Sequence, residues 1–70
     1  MIGKRLKKAR ELKEMTQQEV ADETNIARTT LSKIENDIYE PSIEQLRKLI
    51  ELYNVNANWL LDVGIKNEDK

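Results

Sequence analysis

The stretch from Gln17 to Asn36, QQEVADETNIARTTLSKIEN, decides the fold. It reads as two short helices joined by a tight turn, the second with one apolar side and one side made of hydrogen-bonding residues. On a helix turning about 100° per residue, with Arg28 at ~0°, Ser32 falls at ~40°, Thr29 at ~100° and Lys33 at ~140°. Ile34 at ~240°, Ala27 at ~260° and Leu31 at ~300° point the other way. Such a helix docks its apolar side on a core and offers the opposite side to solvent or to a polar partner.

Local chemistry specifies the helix in front of it. Thr16 stands three residues before Glu19, so the threonine hydroxyl can accept from the Glu19 amide while the carboxylate accepts from the Thr16 amide. Met15 and Val20 fit a hydrophobic staple across the same start. Ala21 is small enough to let a second helix cross closely, and Asn25 sits where the chain must turn, Asn tolerating a left-handed conformation. Ile26 and Leu31 staple the next helix, for which Ala27 is a weak N-cap. A helix, a turn of about three residues and a second helix make a helix-turn-helix unit.

Outward from this pair, Ile2, Leu6, Ala9 and Leu12 lie at helical spacing and predict a first helix over about residues 2–13, with these four on its buried face. Pro41 and Ser42 open a fourth helix, where Ser42 and Gln45 form another capping box and Ile43, Leu46, Leu49, Ile50 and Tyr53 the buried stripe. Asn54 closes it. Val55 and Leu60 staple a last short helix, capped by Asn56 and running from about Ala57 to Asp62. The expectation is an all-α fold: a compact five-helix domain over residues 1–64, then a flexible tail over 65–70 that is too polar to pack. No strand, repeat or low-complexity segment is read.

Seventy residues allow one domain with a small core. Without cysteine or histidine, the chain lacks disulfides, the usual zinc ligands and the commonest general base, so no catalytic residue, cofactor or metal site is expected. Nor is there a run of roughly 18 to 20 apolar residues to span a membrane, or the apolar core of a signal peptide; a cytoplasmic location is expected.

A net charge of −1 and a pI near 5.4 are not the marks of a generally basic nucleic-acid-binding domain. The distribution is uneven, however. Residues 1–13 carry Lys4, Arg5, Lys7, Lys8, Arg10 and Lys13 against Glu11 alone, whereas Glu14, Glu19, Asp22 and Glu23 make the first helix of the pair acidic. Residues 34–70 hold eight acids against four bases. The basic run reads either as a solvated helix face or as a local field that orients the protein on a polyanion, with a modest salt dependence.

The chain resembles the helix-turn-helix family of lambdoid phage repressors, Cro proteins and xenobiotic-response-element regulators. The resemblance runs from Ile2 to about Gly64 and rests on IGKRLKKAREL, MTQQEVA, LSKIEN, EPSIEQLRKLIELYNV and NWLL in that order. It implies a lambda-repressor-like domain whose recognition helix, about residues 28–35, lies in the DNA major groove with Arg28, Thr29, Ser32 and Lys33 facing base edges. It supports a phosphate contact from Gln17. Gln18 at the same helix start, Thr30 at the rim and Asn36 are further candidates for the backbone. It also implies a structural ion pair between Arg10 and Glu35, the alternative being Arg10 reaching a phosphate. Several residues depart from the pattern: Asn25 and Asp37 replace common glycines, Thr24 an apolar residue, Ala27 a capping Ser or Thr, and Asp37-Ile38-Tyr39-Glu40 is acidic where relatives often carry cations.

The partner so implied is a double-stranded DNA operator of pseudo-palindromic sequence, bound by a homodimer of a transcriptional regulator acting as a repressor. If dimerisation lies within this chain, Trp59 and Leu61 on the last helix are the candidate surface, unless Trp59 is core. A protein-interaction module without DNA binding is the other functional class left open by the acidic balance.

Overall fold

Two capping boxes set the frame. In the computed structural model, which describes residues 2–61, the Thr16 hydroxyl accepts from the Glu19 amide at 3.0 Å and the Glu19 carboxylate accepts from the Thr16 amide at 2.8 Å. Ser42 and Gln45 repeat the arrangement at 3.0 and 2.9 Å. These caps open α2 (Gln17–Thr24) and α4 (Ile43–Tyr53), which alternate with α1 (Ile2–Leu12), α3 (Arg28–Glu35) and α5 (Ala57–Leu61). Among the described residues there is no strand. Asn25 (φ 64°) and Asn54 (φ 57°) end α2 and α4 in the left-handed conformation, as their residue type allows. Asn56 caps α5 by accepting from the Asn58 amide at 2.7 Å.

The core gathers one or two residues from each element: Leu6 and Ala9 from α1, Val20 from α2, Ile26 from the turn, Leu31 and Ile34 from α3, Leu49 and Tyr53 from α4, and Leu60 from α5. Helix α1 packs on α3, α4 and α5, while α2 packs on α3 and α4. Thr24, buried where an apolar residue is usual, satisfies itself locally: its hydroxyl donates to the Val20 carbonyl at 2.7 Å and accepts from the Ile26 amide at 3.3 Å.

Three expected core residues lie outside it. Leu12 is 67% exposed, because steps of three residues rotate about 60° backwards around a helix and carry Leu12 off the stripe that Leu6 begins. Gly3 takes up the buried position instead, and α1 ends at Leu12, one residue short of the expected end. Ile43 is 82% exposed; as the first residue of α4 its side chain leans toward the preceding loop, not the core. Ala27 is exposed at the start of α3. Glu14 also adopts a positive φ of 57° between α1 and α2, a conformation its residue type rarely takes. The end of the last helix at Asp62, the side chain of Leu61, the domain boundary at Gly64 and the tail over 65–70 lie outside what is described.

Candidate nucleic-acid interface

Helix α3 is held at its far end and bare at its near end. Its C-terminus meets the N-terminus of α1, where the Gly3 amide donates to the Asp37 carboxylate at 3.0 Å. A Cβ on Gly3 would come within 2.5 Å of the Ile34 carbonyl and 2.7 Å of the Glu35 carbonyl, so only glycine allows this approach. Asp37 itself turns the chain at φ 60°. The acid that replaces a common glycine thus fastens α1 to α3.

Two turns further along α1, Arg10 forms a bidentate pair with Glu35: Nε to Oε2 at 2.8 Å and an η nitrogen to Oε1 at 3.1 Å. The other η nitrogen donates to the Met15 carbonyl at 2.9 Å. Glu35 is buried, and its hydrogen bond holds the guanidinium pKa above the ordinary value against the opposing effect of burial. Gln17 Nε2 donates to the same carboxylate at 3.0 Å. Glu35 therefore joins α1, α2 and α3 at one point. Tyr53 lies close enough to feel that charge; burial first, and Glu35 second, push its hydroxyl pKa up.

On the side of α3 turned away from Leu31 and Ile34, Arg28, Thr29 and Lys33 are exposed and Ser32 half-buried, and Thr30 is also half-buried. Arg28, Thr29, Ser32 and Lys33 share one flank, while Thr30 sits at the border of the core. Asn36, exposed at the C-cap, donates its side-chain amide to the Ser32 carbonyl at 2.9 Å. Half-buried Gln17 sits beside this surface. Gln18 is exposed with its amide on Asp22 at 3.0 Å, and it shares a shallow depression with Asp22, Asn25, Ala27 and Arg28. No side chain caps α3 at Ala27.

Trp59 is half-buried. The Arg5 guanidinium stacks 5.3 Å from the centre of its ring and donates to its carbonyl at 2.9 Å, which ties α5 to α1. Sequence reasoning missed the Gly3–Asp37 bond and the Gln17–Glu35 bond. Glycine inside a helical run was the available signal for the first.

A helix-turn-helix family model matches residues 6–60. This chain belongs to the helix-turn-helix family. Its relatives include the HTH-type transcriptional regulator ImmR of Bacillus subtilis (strain 168), 44% identical over 70 residues, covering 96% of this chain and 55% of that protein. The HTH-type transcriptional regulator SinR of the same organism is 36% identical over 63 residues, 89% of this chain and 57% of that protein. Among solved structures, the SinR protein/SinI protein complex matches with a TM-score of 0.82 and 34% identity, over 100% of this chain and 69% of that one. This helix-turn-helix chain spans little more than half the length of the curated relatives it matches.

Proposed function

We propose that the chain is the DNA-binding part of a transcriptional repressor that binds a pseudo-palindromic operator as a dimer, with α3 in the major groove. The observation that carries this reading is the outward flank of α3: Arg28, Thr29 and Lys33 are exposed on a helix whose other side is buried. Eight residues make a helix about 12 Å long, enough to read about four or five base pairs. One copy reads too little to find a site in a genome, so two copies bind half-sites about one helical turn apart.

Within this reading Arg28 donates to a guanine, Thr29 touches a thymine methyl or an adenine edge, and Lys33 reaches a guanine or a phosphate. Ser32, half-buried, contributes less to base recognition. Gln17, Gln18, Thr30 and Asn36 hold the sugar-phosphate backbone on either side. The Gln17 amide has one hydrogen committed to Glu35 and one left for a phosphate oxygen. Arg10 is a structural residue, since its guanidinium makes three hydrogen bonds within the fold, two to Glu35 and one to the Met15 carbonyl.

Titration with a short random-sequence duplex at low salt, followed by selection of bound duplexes from a random pool, tests the proposal. Binding that weakens with salt, and a selected pool with two inverted half-sites, are expected; absence of any affinity ends it. A second reading, docking of another protein, is favoured by exposed Ile38, Tyr39 and Ile43 beside Glu40 and Glu44, and the matched SinR structure is a complex with the SinI protein. That reading predicts no affinity for duplex at any salt concentration.

A further inference from the structure

The segment that leaves α3, Asp37 to Glu40, carries two acids and no cation, and one of those acids is used inside the fold to hold the Gly3 amide. Apart from Lys33 in the last turn of α3 itself, positive charge supplied to a phosphate beside this end of the helix comes from another element. Helix α1 is the element in place. It is fastened to this end of α3 at two points, Gly3 against the Ile34 and Glu35 carbonyls and Arg10 against the Glu35 carboxylate.

Lys7 lies between those two points. On the helix wheel it stands ~40° from Gly3 and ~60° from Arg10, so it shares the edge of α1 that borders α3, next to the junction where Gln17 and Glu35 meet. It is exposed, and no acid pairs with it among the described residues. Lys8, equally exposed, stands ~140° from Gly3 and ~160° from Arg10 and so faces away from α3. The basic run of α1 is thus divided into a cation at the junction and cations on the outer face.

We propose that Lys7 is a further phosphate-binding residue of the DNA interface, forming with the Gln17 amide and the Asn36 side chain a clamp on the backbone at the α1, α2 and α3 junction. The proposal rests on the DNA-binding reading and adds to it a cation from outside the helix pair. It also gives a domain with an acidic exit loop and a net negative charge one cation placed where a phosphate lies, within the basic field of α1.

Lys7→Gln and Lys8→Gln remove the same charge from the same helix, one at the junction and one away from it. Each is titrated with a short random-sequence duplex over a range of salt concentrations, because a phosphate contact is independent of sequence. Lys7→Gln is expected to weaken binding about eightfold at about 0.1 M salt and to lower the salt slope by about 0.9, the release of one counterion. Lys8→Gln is expected to leave the slope unchanged, with both variants melting as the parent does. Equal losses in the two variants would show a long-range field instead of a contact and overturn the proposal, as would a Lys7→Gln variant that binds like the parent. A parent chain that binds no duplex even at low salt overturns the DNA-binding reading together with this one.

Discussion

The two ends of α3 are built in opposite ways. At its C-terminal end a buried carboxylate takes hydrogen bonds from Arg10 and Gln17, and Asp37 accepts from the first turn of α1. The N-terminal end has no side-chain cap, and Arg28 and Thr29 stand exposed there. The difference separates two tasks along eight residues. One end fixes the helix in the fold; the other leaves uncapped amides and polar side chains exposed, the kind of groups a polar ligand can satisfy.

If that division holds, changes to the groups that fasten α3 to α1 reduce stability, and changes at the bare end reduce affinity alone. Arg10→Met has the largest expected effect. It leaves buried Glu35 with Gln17 as its remaining side-chain donor, a loss of about 3 to 5 kcal/mol of folding stability measurable by denaturant titration; a fall in DNA affinity with unchanged stability would instead make Arg10 a phosphate contact. Gly3→Ala comes next. In an exposed helix this change gains about 0.5 to 1 kcal/mol, but here the added Cβ meets two carbonyls, and a net loss of about 1 to 3 kcal/mol is expected in the same assay.

At the bare end, Arg28→Ala is expected to remove about 1 to 3 kcal/mol of affinity for the selected duplex and to relax preference at one base position, with the melting temperature unchanged. An unaltered affinity would take Arg28 off the interface. The smallest effect belongs to Ala27→Ser. Ala27 has φ −57° and ψ 141°, close to the −68° and 166° of the capping residue Ser42, so a serine can accept from an amide of the first turn and add about 0.5 to 1 kcal/mol. A destabilised Ala27→Ser variant would mean that this backbone cannot accept a cap.

The helices were legible in the sequence because their signals are local. A capping box spans three residues, a left-handed Asn closes the helix it follows, and an apolar stripe repeats within a few turns. These features place α2 and α4 at their starts, Asn25 and Asn54 at their ends, and the hydrophilic flank of α3 opposite Leu31 and Ile34. The same periodicity failed for Leu12 and Ile43, since successive steps of three residues drift off the buried stripe by Leu12, and the first residue of a helix leans toward the loop before it. Arg10 and Glu35 were recognisable through the family resemblance, not through their spacing of 25 residues.

What the chain settles by its sequence alone is the number and type of its helices and which side of α3 faces out, since neighbours three or four residues apart determine both. Tertiary structure decided where α3 is anchored. The Gly3–Asp37 bond joins residues 34 positions apart and the Gln17–Glu35 bond residues 18 apart, and contacts of that range exist only after the core has brought α1 and α2 against the end of α3. The role of Asp37, an acid where a glycine is common, follows from that packing and from nothing local to the loop.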